Sequence, residues 1–418
     1  MTRRADPSSP ETYLESCLRL AGEHFASLAE IREDDFNAYP GLDRLEPPRN
    51  LLVLEEALPG DGVEAARRAV LEGRVLWEHT AAGEGLRLGR GPKFLLIPES
   101  RPAGPPGLRA LTLGDRHLGQ WAFEVTGLAL AADLDPGQVL ARQTILLIVS
   151  AEGRAAIADR ILEADFWGLE PENFLFLEQA AFPALRPEGG WHFDAATPRR
   201  LHNHGHMAMQ KTMDGQVFHL DREGRETRLG RKAFFDHLRR ADSLVTYNIE
   251  DLGYLARALD FDALGLALAS GEKGFRMVME IVPNQPDRPV KGALCAHDPA
   301  LGRDVMIESL RLLDLPPERI THINKNFNHY PRPAEIFSLL STQGLFMPAS
   351  VKEDGLYFQP VRGDMNFLAP TAFFTRSRPE PLSSWKSPAD TPAALAALDQ
   401  QDAQPGFIDF MKALWKPH

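Results

Sequence analysis

Cysteine is almost missing from this chain: Cys17 and Cys295 are the only two in 418 residues. Two thiols so far apart exclude a disulfide scaffold and a cysteine-based zinc site. Basic charge is also short, with 46 Lys and Arg against 58 Asp and Glu and a net charge of −12. That balance excludes a nucleic-acid binder that works by bulk phosphate neutralisation. A small anionic ligand is still allowed, because a few converging cations suffice for it. No run approaches the ~18 apolar residues of a membrane span. The start, Met1-Thr2-Arg3-Arg4, carries charge with no apolar segment behind it, so no secretory leader is expected. A cytoplasmic protein that binds neither membrane nor nucleic acid is the expectation. Internal repeats are lacking too. What remains, 44% hydrophobic and 25% charged residues, is ordinary globular composition, long enough for one large domain with appendages or for two or three domains.

From about residue 62, helical and strand-like patterns alternate. Helix is expected over 63–71, 151–166 and 251–269. Strands are expected at 75–79, 174–177, 244–247, 277–282 and 292–296, and at the apolar run 145–149 that closes segment 138–149. Residues 94–97 read as a short strand or a helix start. An amphipathic helix over 11–32 carries Tyr13, Cys17, Leu18, Phe25 and Leu28 on one face. Beyond Pro379 the composition turns to Pro, Ser, Ala and Asp, ending in a short helix at 405–415. The alternation predicts a layered α/β fold with a mixed, mostly parallel sheet flanked by helices. Ligands in such sheets sit beyond the carboxyl ends of the strands. Residues 1–65 read as an N-terminal helical extension, 66–386 as the α/β core and 387–418 as a C-terminal cap.

Four constellations carry chemistry. After the strand at 75–79 comes Ala82-Gly83-Glu84-Gly85-Leu86-Arg87, then Gly91-Pro92-Lys93. A glycine turn at a strand end exposes backbone N–H groups that can cradle phosphate oxygens, with Arg87 and Lys93 neutralising charge. An ordinary surface turn has the same composition. Glu178-Gln179 ends an apolar strand, where an amide can donate to one edge atom of a pyrimidine and accept from another; a satisfied strand-end glutamine is the alternative. The run Leu201-His202-Asn203-His204-Gly205-His206 puts imidazoles at alternate positions, which on a strand would share a face and invite a metal. Asn248-Ile249-Glu250-Asp251 follows a strand, where carboxylates suit Mg²⁺ or simply favour a helix start.

Taken in order, these segments resemble the UDP-sugar pyrophosphorylases. Segment 82–93 is similar to that family's Gly-Gly-x-Gly-Thr-Arg and Pro-Lys elements, with Ala82 for a glycine and Leu86 for the threonine. Segment 168–184 is similar to its Gly-Leu-x-x-x-Asn-Val-x-Phe-Phe-x-Gln-x-x-x-Pro-Ala. Asn203, His204 and Gly205 match the start of a Gly-His-Gly-Asp loop, with His206 for the aspartate. Glu250 stands where the family carries its metal-binding aspartate. Lys291-Gly292-Ala293 with Glu308, and Thr321-His322-Ile323-Asn324, resemble its sugar-binding elements. Ser384-Trp385-Lys386 resembles its late lysine segment, and Arg376 and Arg378 lie nearby to add positive charge.

The resemblance implies a Rossmann-like nucleotidyltransferase fold of the glycosyltransferase-A kind. It implies transfer of uridylyl from UTP to a hexose 1-phosphate with release of pyrophosphate. It assigns Arg87, Lys93 and Lys386 to catalysis, and Ala82, Gly83, Glu84, Gly85, Leu86, Gln179, His204 and Gly205 to the nucleotide. It assigns Gly292, Glu308 and Asn324 to the sugar, and Glu250 to Mg²⁺. A non-catalytic nucleotide- or nucleotide-sugar-binding relative is the alternative, suggested by the departures at Leu86, His206 and Glu250. A metal-dependent hydrolase built on the histidine run is a third.

Overall fold

The computed structural model describes residues 3–82, 91–98, 108–284, 293–312, 315–316, 319–379 and 384–415. Its organising element is a twelve-stranded sheet. In chain order the strands are β1 (Leu51–Val53), β2 (Val75–Thr80), β3 (Thr144–Val149), β4 (Phe174–Glu178), β5 (Val217–Leu220) and β6 (Glu226–Arg228). They continue with β7 (Ser243–Asn248), β8 (Met277–Pro283), β9 (Leu294–Asp298), β10 (Arg303–Ile307), β11 (His322–Pro331) and β12 (Thr371–Thr375). Across the sheet the order is β1-β12-β8-β11-β7-β2-β3-β4-β5-β6, with β9 and β10 as a hairpin attached to β11.

The centre, β7-β2-β3-β4, is parallel throughout. β8 and β12 are parallel to each other, and β11 runs against both β7 and β8. The strands β12, β8, β7, β2, β3 and β4 therefore all point the same way, and their carboxyl ends share one edge. β11 begins at that edge, because it runs in the opposite sense.

Strands covered on both faces by helices must be apolar on both. β3, Thr144–Val149, is buried at every position. Side-chain alternation then divides the core in two. Trp77, Ile145, Leu147, Val149, Phe174 and Phe176 face one cluster. Leu76, Leu146, Ile148, Leu175 and Leu177 face the other. The first cluster is closed by the helix Leu113–Ala131, which has no counterpart among the sequence expectations. It opens with a capping box between Thr112 and Asp115. Two tail helices, Thr391–Asp402 and Phe407–Leu414, lie on it through Leu398, Phe407 and Met411 and an Arg116–Asp402 ion pair at 2.7 Å. The N-terminal helix Pro10–His24 closes the opposite cluster with Tyr13, Cys17 and Leu20. No described helix is long and apolar enough to cross a membrane.

Most expected elements are present with shifted ends. Segment 11–32 is helical only to His24 and then becomes a short 3-10 turn. Segment 251–269 divides into the 3-10 turn Gly253–Leu255 and the helix Phe261–Glu272. Residues 94–97 form neither strand nor α-helix but the 3-10 turn Lys93–Leu95.

Candidate active site

The shared edge is where the described candidate residues gather. β7 ends at Asn248, and Glu250 follows two residues later with its side chain only 17% exposed. The Trp385 N–H donates to the Glu250 carbonyl at 2.9 Å, which ties the late segment to this point. Lys93 Nζ bonds Glu250 Oε2, and Lys386 Nζ lies 3.2 Å from Glu250 Oε1. One carboxylate thus holds two ammonium groups from opposite ends of the chain. Lys93 is placed by its neighbour: the Phe94 ring is fully buried and lies where a Cβ on Gly114 would sit, 2.3 Å from that position. Lys386 is placed by Asp390, which accepts from the Lys386 and Ser387 N–H groups at 2.9 and 2.7 Å.

Behind this pair lies a second layer of charge. Glu280 of β8 bonds Lys325 Nζ at 3.1 Å and Arg376 Nε at 2.9 Å. Arg376 also holds Asp260 at 2.5 Å. The guanidinium expected to add free positive charge is therefore already offset by two carboxylates. Glu280 and Lys325 have no signature in the sequence, since a pairing between distant strands leaves no local pattern. Desolvation pushes the Asp251 carboxyl up to about 6, against the Gly253 N–H that it accepts. Mg²⁺ takes oxygen ligands, keeps several waters and is often held by one or two carboxylates plus substrate phosphates. Glu250 and Asp251 supply carboxylates of that kind, with both Glu250 oxygens held by lysines here. Among the described residues no three His, Cys, Asp or Glu side chains stand close enough to hold an ion by themselves.

On the other side of β2, Ala82 is buried just past the strand end and Gln179 just past β4. The Gln179 N–H donates to Val149 O at 2.8 Å, and its side-chain amide donates to Asn203 O at 3.2 Å. Asn203 adopts a left-handed φ of 66° and opens the helix Asn203–Gln210. The histidine run is helical, then, and not the strand that alternate ligation would need. His204 Nδ1 accepts the Arg362 N–H at 2.8 Å, which puts its proton on Nε2. Burial, helped by Arg362, pushes this imidazole down to about 3, so it is neutral. Gly205 donates its N–H to Pro360 O at 2.9 Å, and a Cβ there would stand 2.4 Å from the Pro360 carbonyl. His202 and His206 face inward, His202 bonding Tyr13 Oη at 2.8 Å and His206 packing 4.4 Å from the Tyr13 ring. Beneath the loop, Glu78 is fully buried and ion-paired to both Lys211 and Arg362. The same Arg362 thus anchors His204 by its backbone and Glu78 by its side chain.

The register Ile307–Leu294–Ile323 carries β10 back to the shared edge and sets Glu308 and Asn324 beside a common line. Burial, then the Asp364 charge, pushes the Glu308 carboxyl up to about 7. Glu308 Oε1 lies 2.6 Å from where a Gly363 Cβ would be. Gly83, Glu84, Gly85, Leu86, Arg87 and Gly292 lie outside the described residues.

The architecture is a mixed α/β fold, with the described candidate residues along the carboxyl edge of its co-directional strands. No family model and no curated protein matches the sequence. Solved structures do. The UDP-N-acetylglucosamine pyrophosphorylase of Trypanosoma brucei in complex with an inhibitor superposes with a TM-score of 0.62 at 14% identity, covering 95% of this chain and 83% of the other. A variant UDP-glucose pyrophosphorylase of Leishmania major in complex with UDP-glucose gives 0.58 at 15% identity, covering 94% and 76%. The chain has the fold of the UDP-sugar pyrophosphorylases.

Proposed function

We propose that the protein is a UTP:sugar-1-phosphate uridylyltransferase. The observation that carries the reading is the meeting of Lys93 and Lys386 on Glu250 at the carboxyl edge of the sheet. A phosphate oxygen of the hexose 1-phosphate attacks the α-phosphorus of UTP. A new P–O bond forms, the bond to the bridging oxygen breaks, and pyrophosphate leaves with the electron pair. No covalent enzyme intermediate is required, so the protein's work is alignment and charge neutralisation. Lys93 and Lys386 exchange Glu250 for phosphate oxygens when substrate arrives. Glu250, with Asp251 beside it, would hold Mg²⁺, which when bound offsets charge on the triphosphate. Gln179 reads the uracil edge, while His204, held neutral, offers Nε2–H as a donor. Glu308 and Asn324 face the sugar hydroxyls. Gly83, Glu84, Gly85, Leu86 and Arg87 complete the phosphate cradle in this reading, with Gly292 on the sugar side.

The test is pyrophosphate release from UTP with a panel of sugar 1-phosphates, in the presence and absence of Mg²⁺. Turnover with at least one sugar supports the reading. A second reading, a nucleotide- or nucleotide-sugar-binding relative without turnover, is favoured by glutamate at position 250 and histidine at 206. Calorimetric binding of UTP with no pyrophosphate release from any sugar would select it.

A further inference from the structure

A second site lies away from the lysine pair. A cavity of about 310 Å³ opens where the N-terminal segment meets β10 and the end of the helix Pro333–Gln343, and four arginines line it: Arg3, Arg4, Arg303 and Arg311. Asp364 is the one carboxylate among its described lining residues. The arginines are held in different ways. Arg311 is buried, lies over the Phe346 ring at 4.4 Å and grips Asp364 through Nη1 at 3.0 and 3.1 Å. Its Nε is buried with no hydrogen-bond partner among the described residues. Arg303 donates to Ala369 O at 3.1 Å, and Arg4 to Gln343 Oε1 at 3.3 Å. Arg3 lies over the Phe36 ring at 4.4 Å. Among the described residues these three make no ion pair with a carboxylate, although Asp298 acts on Arg303 and Arg4 acts on Asp364 at longer range. In a protein whose net charge is −12, such a concentration of cations in one hollow is against the trend. The remaining wall is apolar, including Leu301, Leu345 and Leu368.

From this geometry we infer a binding site for a small, multiply charged oxyanion, a phosphate or polycarboxylate, gripped by the Arg3, Arg4, Arg303 and Arg311 guanidinium groups. A planar guanidinium presents paired N–H donors that match two oxygens of a phosphate or carboxylate. Apolar walls lower the local dielectric and strengthen each contact. The volume is at the lower end of small-ligand pockets, which suits a compact anion better than a nucleotide. Burial raises the Asp364 carboxyl above its ordinary range, against the Arg311 guanidinium that lowers it. Asp364 and Phe367 belong to the 3-10 segment Arg362–Phe367, whose first N–H holds His204, so both sites share one stretch of chain. The inference does not depend on the proposed activity.

The experiment is calorimetry on the full chain at low salt, with inorganic phosphate, pyrophosphate and citrate titrated separately. The three arms distinguish phosphate from carboxylate ligands. Leu301→Glu is the main control, because Leu301 is 49% exposed and its replacement puts a carboxylate among the arginines without disturbing the core. Millimolar or tighter binding of at least one anion is expected, weakened about tenfold or more by Leu301→Glu and severalfold by Arg4→Ala. Unchanged thermal unfolding of both variants would show that the loss is local. Absence of binding by all three anions, or binding that Leu301→Glu leaves within about twofold, would overturn the inference.

Discussion

Lys93 and Lys386 share one partner, Glu250, with Lys386 Nζ 3.2 Å from Oε1 and Lys93 bonded to Oε2. Under the proposed reaction each ammonium stabilises charge that grows on the departing phosphates. Lys93→Ala and Lys386→Ala should each lower kcat on the order of 100-fold or more. Because the two act on the same charge, the double variant should fall short of the product of the single losses. Lys386 is 48% exposed, so its removal should leave the unfolding midpoint unchanged. Steady-state pyrophosphate release and a urea titration check both halves.

A substitution that never touches substrate should reach the same site. Gly114→Ala drives a Cβ into the buried Phe94 ring, 2.3 Å away, and that ring belongs to the residue next to Lys93. Overpacking of this kind typically costs about 1–3 kcal/mol. The expected result is lower stability together with a lower kcat. Wild-type turnover in a folded Gly114→Ala protein would show that Phe94 does not position the lysine.

Acid should unfold this protein early. Burial pushes His79, His204 and His206 down to about 3 and His329 to about 4, and holds His117 and His202 well below their ordinary value. The unfolded chain takes up protons below about pH 6.5 that the folded chain refuses. Stability is therefore full above that pH and falls as pH drops toward the folded values. Between about pH 7 and about pH 5.5 each such histidine should cost roughly 1 kcal/mol. Six together remove an amount comparable to a typical domain's whole stability. Urea titrations at the two pH values measure the loss, and His206→Phe should reduce it by one histidine's share.

Glu308 should give sugar binding a pH dependence. Its carboxyl is pushed up to about 7, so the ionised acceptor forms only as pH rises through that value. The KM for the sugar phosphate should fall from about pH 6 to about pH 8 in the wild type. In Glu308→Gln, which cannot ionise, that trend should vanish. An unchanged pH profile in the variant would remove Glu308 from the sugar site.

The buried cluster around Glu78 offers a stability test. Lys211→Met leaves Glu78 with only Arg362, and breaking a buried ion pair on one side commonly costs about 3–5 kcal/mol. The unfolding free energy should drop by that order, with the Arg362–His204 contact loosened as well.

Much of this was legible in the amino-acid order, for a physical reason. A run such as Ile145-Leu146-Leu147-Ile148-Val149, five residues long and rich in β-branched side chains, reads as a strand covered on both sides, and it is one. Lys93 stands beside a glycine turn, whereas Glu250 and Lys386 are marked out by the family resemblance of their segments; that one carboxylate joins the two lysines depends on packing between distant segments. The helix Leu113–Ala131 was not legible, because Gly114, Gly119 and Gly127 interrupt it and its first turns are buried on all sides, which erases the apolar stripe. β11 was hidden in another way: Asn324, Lys325 and Asn328 make it polar where a strand is expected to be apolar. Of the readings open for the histidine run, ligation by alternate imidazoles needs a strand's period, whereas Asn203 turns the chain into a helix.

The helix Leu113–Ala131 seats Phe94 at its first turn and carries the tail helices, whose start is fastened to Lys386 through Asp390. Lys386 is fastened on both sides, by Asp390 at the start of the tail helices and by the Trp385 N–H on the Glu250 carbonyl, so this short segment rivets the helical layer to the strand end that bears its carboxylate.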